Sequence, residues 1–283
     1  MNHKPISLTV DVEENQPSEN GTEFVRAMRP LLQLLEELEV TATFFVVGKL
    51  APRCDELLMD LHQRGHEIAL HGYTHRFLKD LTPKEFREEL LSGRETLENI
   101  NQEPVVGFRA PYFSLTRECL WAPQVLTDEG FLYSSSVMPS FNPRVGISNS
   151  PRSPFRWPSG LIEFPAPTFG IGGMRIPLLG GPYLRLSPSW LVAWAKYSRR
   201  NSSGTWTYCH PFDFDVDEEF SILEGNSWFF ARLLFARRKL MSNRIRNMLT
   251  PESPTLRQLA QLEATHHDMP IWCPDPLELV HLL

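Results

Sequence analysis

Short apolar, β-branched runs alternate with helix-like stripes along most of this chain, and that alternation restricts the fold more than any other feature. Runs at residues 7–10, 43–47, 67–70, 105–108, 131–133, 161–164 and 205–208 have the length and composition of buried strands. Between them, Phe24, Met28, Leu31, Leu35 and Leu38 form a helical stripe despite Pro30. Leu57, Leu58 and Leu61 mark a second helix, halted by Gly65. Thr82-Pro83-Lys84-Glu85 combines a Thr cap, a first-turn Pro and a Glu three residues past the cap, a helix start. Alternating strands and helices predict an α/β fold with a parallel sheet wrapped by helices. At 283 residues the chain has the size of a single α/β barrel.

The polar residues with chemical potential cluster at the ends of these strands. His71 and His75 follow the run at 67–70 and are four apart, close enough to share a metal ion across a loop or first helical turn. The first strand runs into Asp11-Val12-Glu13-Glu14, and period two puts Asp11 and Glu13 on one side. A solvated loop is one reading of those acids. A division of labour, one carboxylate for a metal and one for a proton, is the other. Arg109 ends the run at 105–108, and His210 follows the run at 205–208. In a barrel, strand ends of one sense share a face, so these residues would converge.

In that order, the motifs resemble the polysaccharide deacetylase family with the NodB-type domain, carbohydrate esterase family 4. Thr9-Val10-Asp11-Val12-Glu13, His71 to His75, Arg109-Ala110-Pro111-Tyr112 and Cys209-His210-Pro211 match its first, second, third and fifth motifs. The resemblance, which runs through most of residues 1–215, implies a distorted, incomplete (β/α) barrel; the Pro-, Gly- and Ser-rich residues 137–188 read as long loops over the site face, and 216–283 as a helical extension packed on the same domain. Glu163-Phe164-Pro165 and the segment 180–188 resemble an exopolysaccharide-associated subgroup. Two departures stand out: Gly72 replaces a usual Ser or Thr, and Ser134 stands where the family has an Asp that tunes the catalytic histidine. Asp213 or Asp215 is a possible substitute for that Asp.

The resemblance implies a metal-dependent hydrolase that removes an N-acetyl group from an amino sugar in a bacterial glycan, glycolipid or sugar precursor. Glu13, His71 and His75 are the expected metal ligands, with Glu14 as rival to Glu13. Two imidazoles and a carboxylate suit Zn first, with Co, Ni or Fe as alternatives. Asp11 is the expected base, anchored by Arg109; His210 is the expected acid; the Tyr112 amide is expected at the oxyanion. Pro111 and Trp157 are expected to contact substrate, and Trp190 and Phe113 are further rings that would stack on a sugar. The alternatives are a deformylase or other amidohydrolase on the same fold, and a non-catalytic carbohydrate-binding relative.

A net charge of −6 argues against general nucleic-acid binding. No apolar run is long enough to span a bilayer, and no leader is evident, so a cytoplasmic location is expected. Residues 226–248 combine aromatic and basic side chains. They read either as an amphipathic helix docked on the barrel or as a weak membrane-surface contact at the inner membrane face. Cys54, Cys119, Cys209 and Cys273 are scattered and read as reduced packing residues. His62 and His66 are expected to sit as cations beside a helix end, and His266-His267 at the surface.

Overall fold

The computed structural model describes residues 5–14, 23–140, 145–171, 174–199, 205–218, 220, 222, 228–265 and 268–274. In chain order, β1 (Ser7–Val12), α1 (Glu23–Leu38), β2 (Thr43–Val46), α2 (Asp55–Gln63), β3 (Glu67–Leu70), α3 (Pro83–Asn101), β4 (Gly107–Phe108), α4 (Ala122–Asp128) and β5 (Tyr133–Ser134) alternate. They are followed by β6 (Phe155–Arg156), β7 (Ile162–Glu163), a hairpin of β8 (Phe169–Ile171) and β9 (Met174–Ile176), then α5 (Gly181–Leu186), α6 (Ser189–Arg199) and β10 (Trp206–Cys209). Helices α7 (Trp228–Phe235), α8 (Met241–Arg246) and α9 (Leu256–Thr265) end the described chain.

The strands form one sheet in the order β10-β1-β2-β3-β4-β5-β7-β6, parallel throughout except for β6. The sheet curls into a half-barrel, and β6 and β10 remain edges rather than pairing with each other. Period two sorts the side chains. Leu8, Val10 and Val12 of β1, with Phe44, Val46, Ile68 and Leu70, join Met28, Leu31 and Leu35 of α1 in the outer core. Phe45, Ala69, Tyr133, Ile162, Trp206 and Tyr208 form a second, inner cluster. Thr82 caps α3 in a capping box with Glu85, as the sequence predicts.

Helix α9 closes the N-terminal mouth of the half-barrel. Its Leu256 and Ala260 belong to the inner cluster. The Leu256 amide donates to Thr43 Oγ1 and the Arg257 amide to Glu67 Oε2, each at 2.8 Å. Glu67 also accepts from Thr43 Oγ1 at 2.7 Å and from the Tyr133 hydroxyl at 2.8 Å. Burial pushes the Glu67 carboxyl up, against those donors. A carboxylate at a helix N-terminus meets the positive end of the dipole, which fixes α9 in place. The opposite mouth, at the strand C-termini, is where the polar residues gather.

Three expectations need correction. Residues 137–188 are not simply long loops: they hold β6 to β9 and α5, elements of two to six residues, mostly too short to show periodicity. Residues 228–246 are not one helix either, because α7 ends before Arg237, which is left-handed at φ 56°. Arg185 donates to the carbonyls of Leu234 and Ala236, acceptors that a continuing helix would need. The basic residues there serve the fold: Arg237 and Arg244 bond the Leu186 and Ser187 carbonyls, Arg238 pairs with Glu218, and Arg246 with Glu37. Among the described residues no helix is long and apolar enough to cross a membrane.

The third correction concerns His66, which is buried and neutral. Its Nδ1 accepts from the Ala42 amide at 3.1 Å, and its ring stands edge-on to Phe44. Burial, aided by the Arg64 charge, pulls its pKa from 6.5 down to about 4. Below pH 6.5 the unfolded chain gains a proton that the folded one refuses until about pH 4, so stability declines across that window as pH falls. The loss is about 3 kcal/mol in total. Urea midpoints at pH 7 and pH 5 should therefore separate less for His66→Phe than for the parent; equal separations would contradict this. His266 and His267 lie outside the described residues.

Candidate active site

Glu13, His71 and His75 meet at the C-terminal mouth. Their ligand atoms all lie within 4.8 Å of one another. Glu13 leaves the end of β1, and its Oε2 is 2.6 Å from His75 Nε2 and 3.6 Å from His71 Nε2. His71 Nδ1 lies 3.0 Å from the Arg109 carbonyl, so it carries the proton there and Nε2 is left bare toward Glu13. His75 Nε2 is buried and lacks any aligned hydrogen-bond partner, despite its close approach to Glu13. A buried, unpaired imidazole nitrogen beside a carboxylate is what a site built for a cation presents. Tetrahedral ligands at 2.0–2.2 Å from an ion sit about 3.4 Å apart, so a small opening of the Glu13–His75 contact fits the set to a metal. Burial would raise the Glu13 carboxyl, but its contacts with His71 and His75 and the charge of His210 hold it well below the usual range.

The histidine pair is carried by a loop rather than a helical turn. Gly72 is left-handed at φ 71°, and an added Cβ would stand 3.1 Å from Pro111 Cγ, which accounts for glycine at this position. His75, Tyr112 and Phe113 are also left-handed, at φ 59°, 58° and 52°. Such conformations in larger residues cost roughly 1–2 kcal/mol each and persist where neighbours impose them. Glu89 of α3 is one such neighbour: its carboxylate accepts the Tyr73 and Thr74 amides at 3.0 and 2.8 Å. Nothing in the sequence distinguishes Glu89 from an ordinary acid on a helix surface.

Asp11 and Arg109 form a buried pair at the same mouth. Arg109 Nη1 donates to Asp11 Oδ1 at 2.5 Å and to Thr9 Oγ1 at 2.9 Å. Its Nε and Nη2 donate to the carbonyl and hydroxyl of Ser135. The guanidinium is fully buried and lies 4.0 Å from the Phe45 ring centroid and 4.4 Å from that of Trp206. Glu14, the rival ligand, turns away to Arg53 at 2.9 Å.

His210 approaches from the far edge strand, with Nε2 3.7 Å from Glu13 Oε1. Its Nδ1 lies 3.1 Å from Asp213 Oδ2, and its backbone amide donates to the same oxygen at 2.9 Å. Burial pulls this imidazole down, but the Asp213 bond and the charges of Glu13, Asp213 and Asp11 outweigh it and raise the pKa to about 9. Ser134 does not take the expected place beside the histidine. Its hydroxyl bonds Ser136 and faces Glu163, which also accepts the Ser136 and Val137 amides. The partner of His210 is Asp213, not Asp215, whose carboxylate pairs with Arg26.

The expected sugar contacts divide. Trp157 is 2% exposed, packed between Phe155 and Trp272, and its indole N–H donates to Glu163 Oε2 at 3.2 Å. It offers no free face, which corrects its assignment to substrate. Phe113 is likewise buried, against Arg109 and Trp206. Pro111 is buried and packs near Gly72. Tyr112 is the exposed ring at the mouth, stacked on Phe77 and beside His75. Trp190 is exposed on α6. Cys209 packs with its thiol toward the Thr9 carbonyl, and burial pushes it well up.

The fold and this cluster define an α/β half-barrel with a two-histidine, one-carboxylate set at its C-terminal mouth. Residues 1–127 match the family model of the polysaccharide deacetylases, and residues 135–260 match a family described only as a domain of unknown function (DUF3473). The chain carries a polysaccharide deacetylase domain of the NodB type. It is 32% identical over 115 residues to chitin deacetylase 1 of Bombyx mori, covering 38% of this chain and 21% of that protein. It is 29% identical over 122 residues to a peptidoglycan deacetylase of Helicobacter pylori, covering 42% and 41%. The chain thus spans less than half of the length of both relatives. A solved structure from Mycobacterium smegmatis shares the fold at a TM-score of 0.64 and 22% identity, over 96% of this chain and 94% of that one.

Proposed function

We propose that this protein is a metal-dependent hydrolase that removes an N-acetyl group from an amino sugar in a bacterial glycan, glycolipid or sugar precursor. One observation carries the reading. The Glu13, His71 and His75 set shares its mouth with an arginine-held aspartate and an aspartate-held histidine. A domain that only bound sugar would have no use for all three. Glu13, His71 and His75 would hold the ion, Zn by preference of the donor set, with Co, Ni or Fe as alternatives. When bound, such an ion makes water a nucleophile near neutral pH and polarises the acyl oxygen. Asp11, fixed by Arg109, takes the proton of the attacking water. His210, charged and held by Asp213, gives a proton to the departing nitrogen. The Tyr112 amide would help hold the oxyanion. The C–O bond forms first, leaving an oxyanion, and the C–N bond then breaks as the nitrogen takes its proton, releasing acetate and a free amine. The resemblance of the segments at 163–165 and 180–188 is what favours the exopolysaccharide-associated subgroup; these segments supply Glu163 and Arg185 to the support of this mouth.

The test couples metal analysis to acetate and formate release across N-acylated hexosamine oligomers, nucleotide sugars and lipid-linked sugars. Acetate should appear with the metal-loaded protein, vanish on chelation and return with added Zn. Undiminished release from chelated protein, or release of formate alone, would refute the reading.

A further inference from the structure

We propose that Arg185 is a positioning residue through which the region of unknown function holds the Asp213–His210 pair in place. The proposal rests on the deacetylase reading above. The deacetylase family model ends at residue 127, whereas Arg185, His210 and Asp213 all fall within 135–260. The expected proton donor and its support therefore lie in the segment that matches the family of unknown function, beyond the end of the deacetylase match.

The contacts form a continuous series. Asp213 uses one oxygen, Oδ2, for the His210 ring and amide. Its other oxygen, Oδ1, is 2.8 Å from Arg185 Nη2, an ion-pair contact without hydrogen-bond alignment, and both side chains are fully buried. Arg185 in turn donates through Nη1 to the Ala236 carbonyl at 2.6 Å and through Nη2 to the Leu234 carbonyl at 3.0 Å, at the C-terminal end of α7. The start of α5, which carries Arg185, is pressed onto β10: a Cβ at Gly180 would come within 1.9 Å of the Tyr208 ring. That ring stands edge-on to His210 at 5.9 Å. The Asp213 side chain on its short turn would otherwise rotate about its own bonds. Arg185 opposes that rotation by placing its charge against the second oxygen, and the α7 carbonyls hold Arg185. The imidazole is thereby aimed so that Nε2 faces Glu13 and the reacting centre.

The alternative is that Arg185 only ties α5 to α7. Two substrates separate the roles. An N-acetyl amide needs its leaving nitrogen protonated, whereas an aryl acetate releases a phenolate unaided. Arg185→Lys should lower kcat on the amide by about 10- to 100-fold with little change in KM, and leave aryl acetate turnover and metal content near the parent values. Because Arg185→Met strands a buried carboxylate, it is made in the Asp213→Asn background. There it should add little to the loss on the amide, since Arg185 acts through Asp213. Amide and ester rates falling together, an unchanged amide rate, or losses that multiply in the double variant would each overturn the proposal. A parent protein that releases no acetate from any N-acetylated saccharide would sink the deacetylase reading first, and the proposal with it.

Discussion

His71→Ala protein should bind no stoichiometric metal and lose acetate release by roughly 10³-fold or more, since a bound ion contributes several kcal/mol to such a transition state. The expectation follows from how His71 is tied in. Its Nδ1 is committed to the Arg109 carbonyl at 3.0 Å, so only Nε2 serves the Glu13 cluster, and the other nearby imidazole, His210, is held charged by Asp213. The fold should survive. Truncation leaves one carbonyl unpaired and a small gap at the rim, a cost of about 1–3 kcal/mol. Glu14→Gln is the matched control, because Glu14 pairs with Arg53 away from the cluster. It should keep both metal and turnover. Metal analysis with circular dichroism checks the pair, and full turnover by metal-free His71→Ala protein would refute the mechanism.

Legibility in the sequence followed range. Asp11, Glu13, His71, Arg109 and His210 each end or follow a strand that its apolar run makes visible, and a parallel sheet brings those ends to one side. Strand ends and the family motifs together therefore grouped them. The supporting residues lacked such a signal. Arg185 reaches Asp213 from a six-residue helix that periodicity cannot register, and Glu89 holds the histidine loop from an otherwise ordinary helix surface. Trp157 sits in a Pro-rich stretch that looks exposed, yet it is covered by Trp272 from the far end of the chain. Glu67 reads as the polar first residue of a strand, and only the arrival of α9 makes it a buried cap. In each case the deciding contact is separated widely in sequence, so neither propensity nor pattern encodes it locally.

The Asp11–Arg109 pair gives the second large effect. Arg109→Met should destabilise the protein by about 3–5 kcal/mol, a large share of the usual 5–15 kcal/mol total, because it strands a buried carboxylate. Asp11 is 3% exposed, and Arg109 has no exposure at all. The lost guanidinium also leaves Thr9, Ser135 and the faces of Phe45 and Trp206 without their shared partner. Arg109→Lys would keep the charge but not the fork that serves Asp11, Thr9 and Ser135 together, so it should recover only part of the loss. The informative comparison is Asp11→Asn with Arg109→Met. Removing both charges removes the stranded ion, so the double variant should be more stable than Arg109→Met alone. Turnover should not return, since the proposed base is gone while the Glu13, His71 and His75 set and its metal remain. A pair kept for stability would leave the double variant well below the parent, whereas a pair kept for chemistry would leave it near the parent. Urea unfolding, acetate release and metal content, measured together on the three variants, decide between a pair held for chemistry and a pair held for the fold.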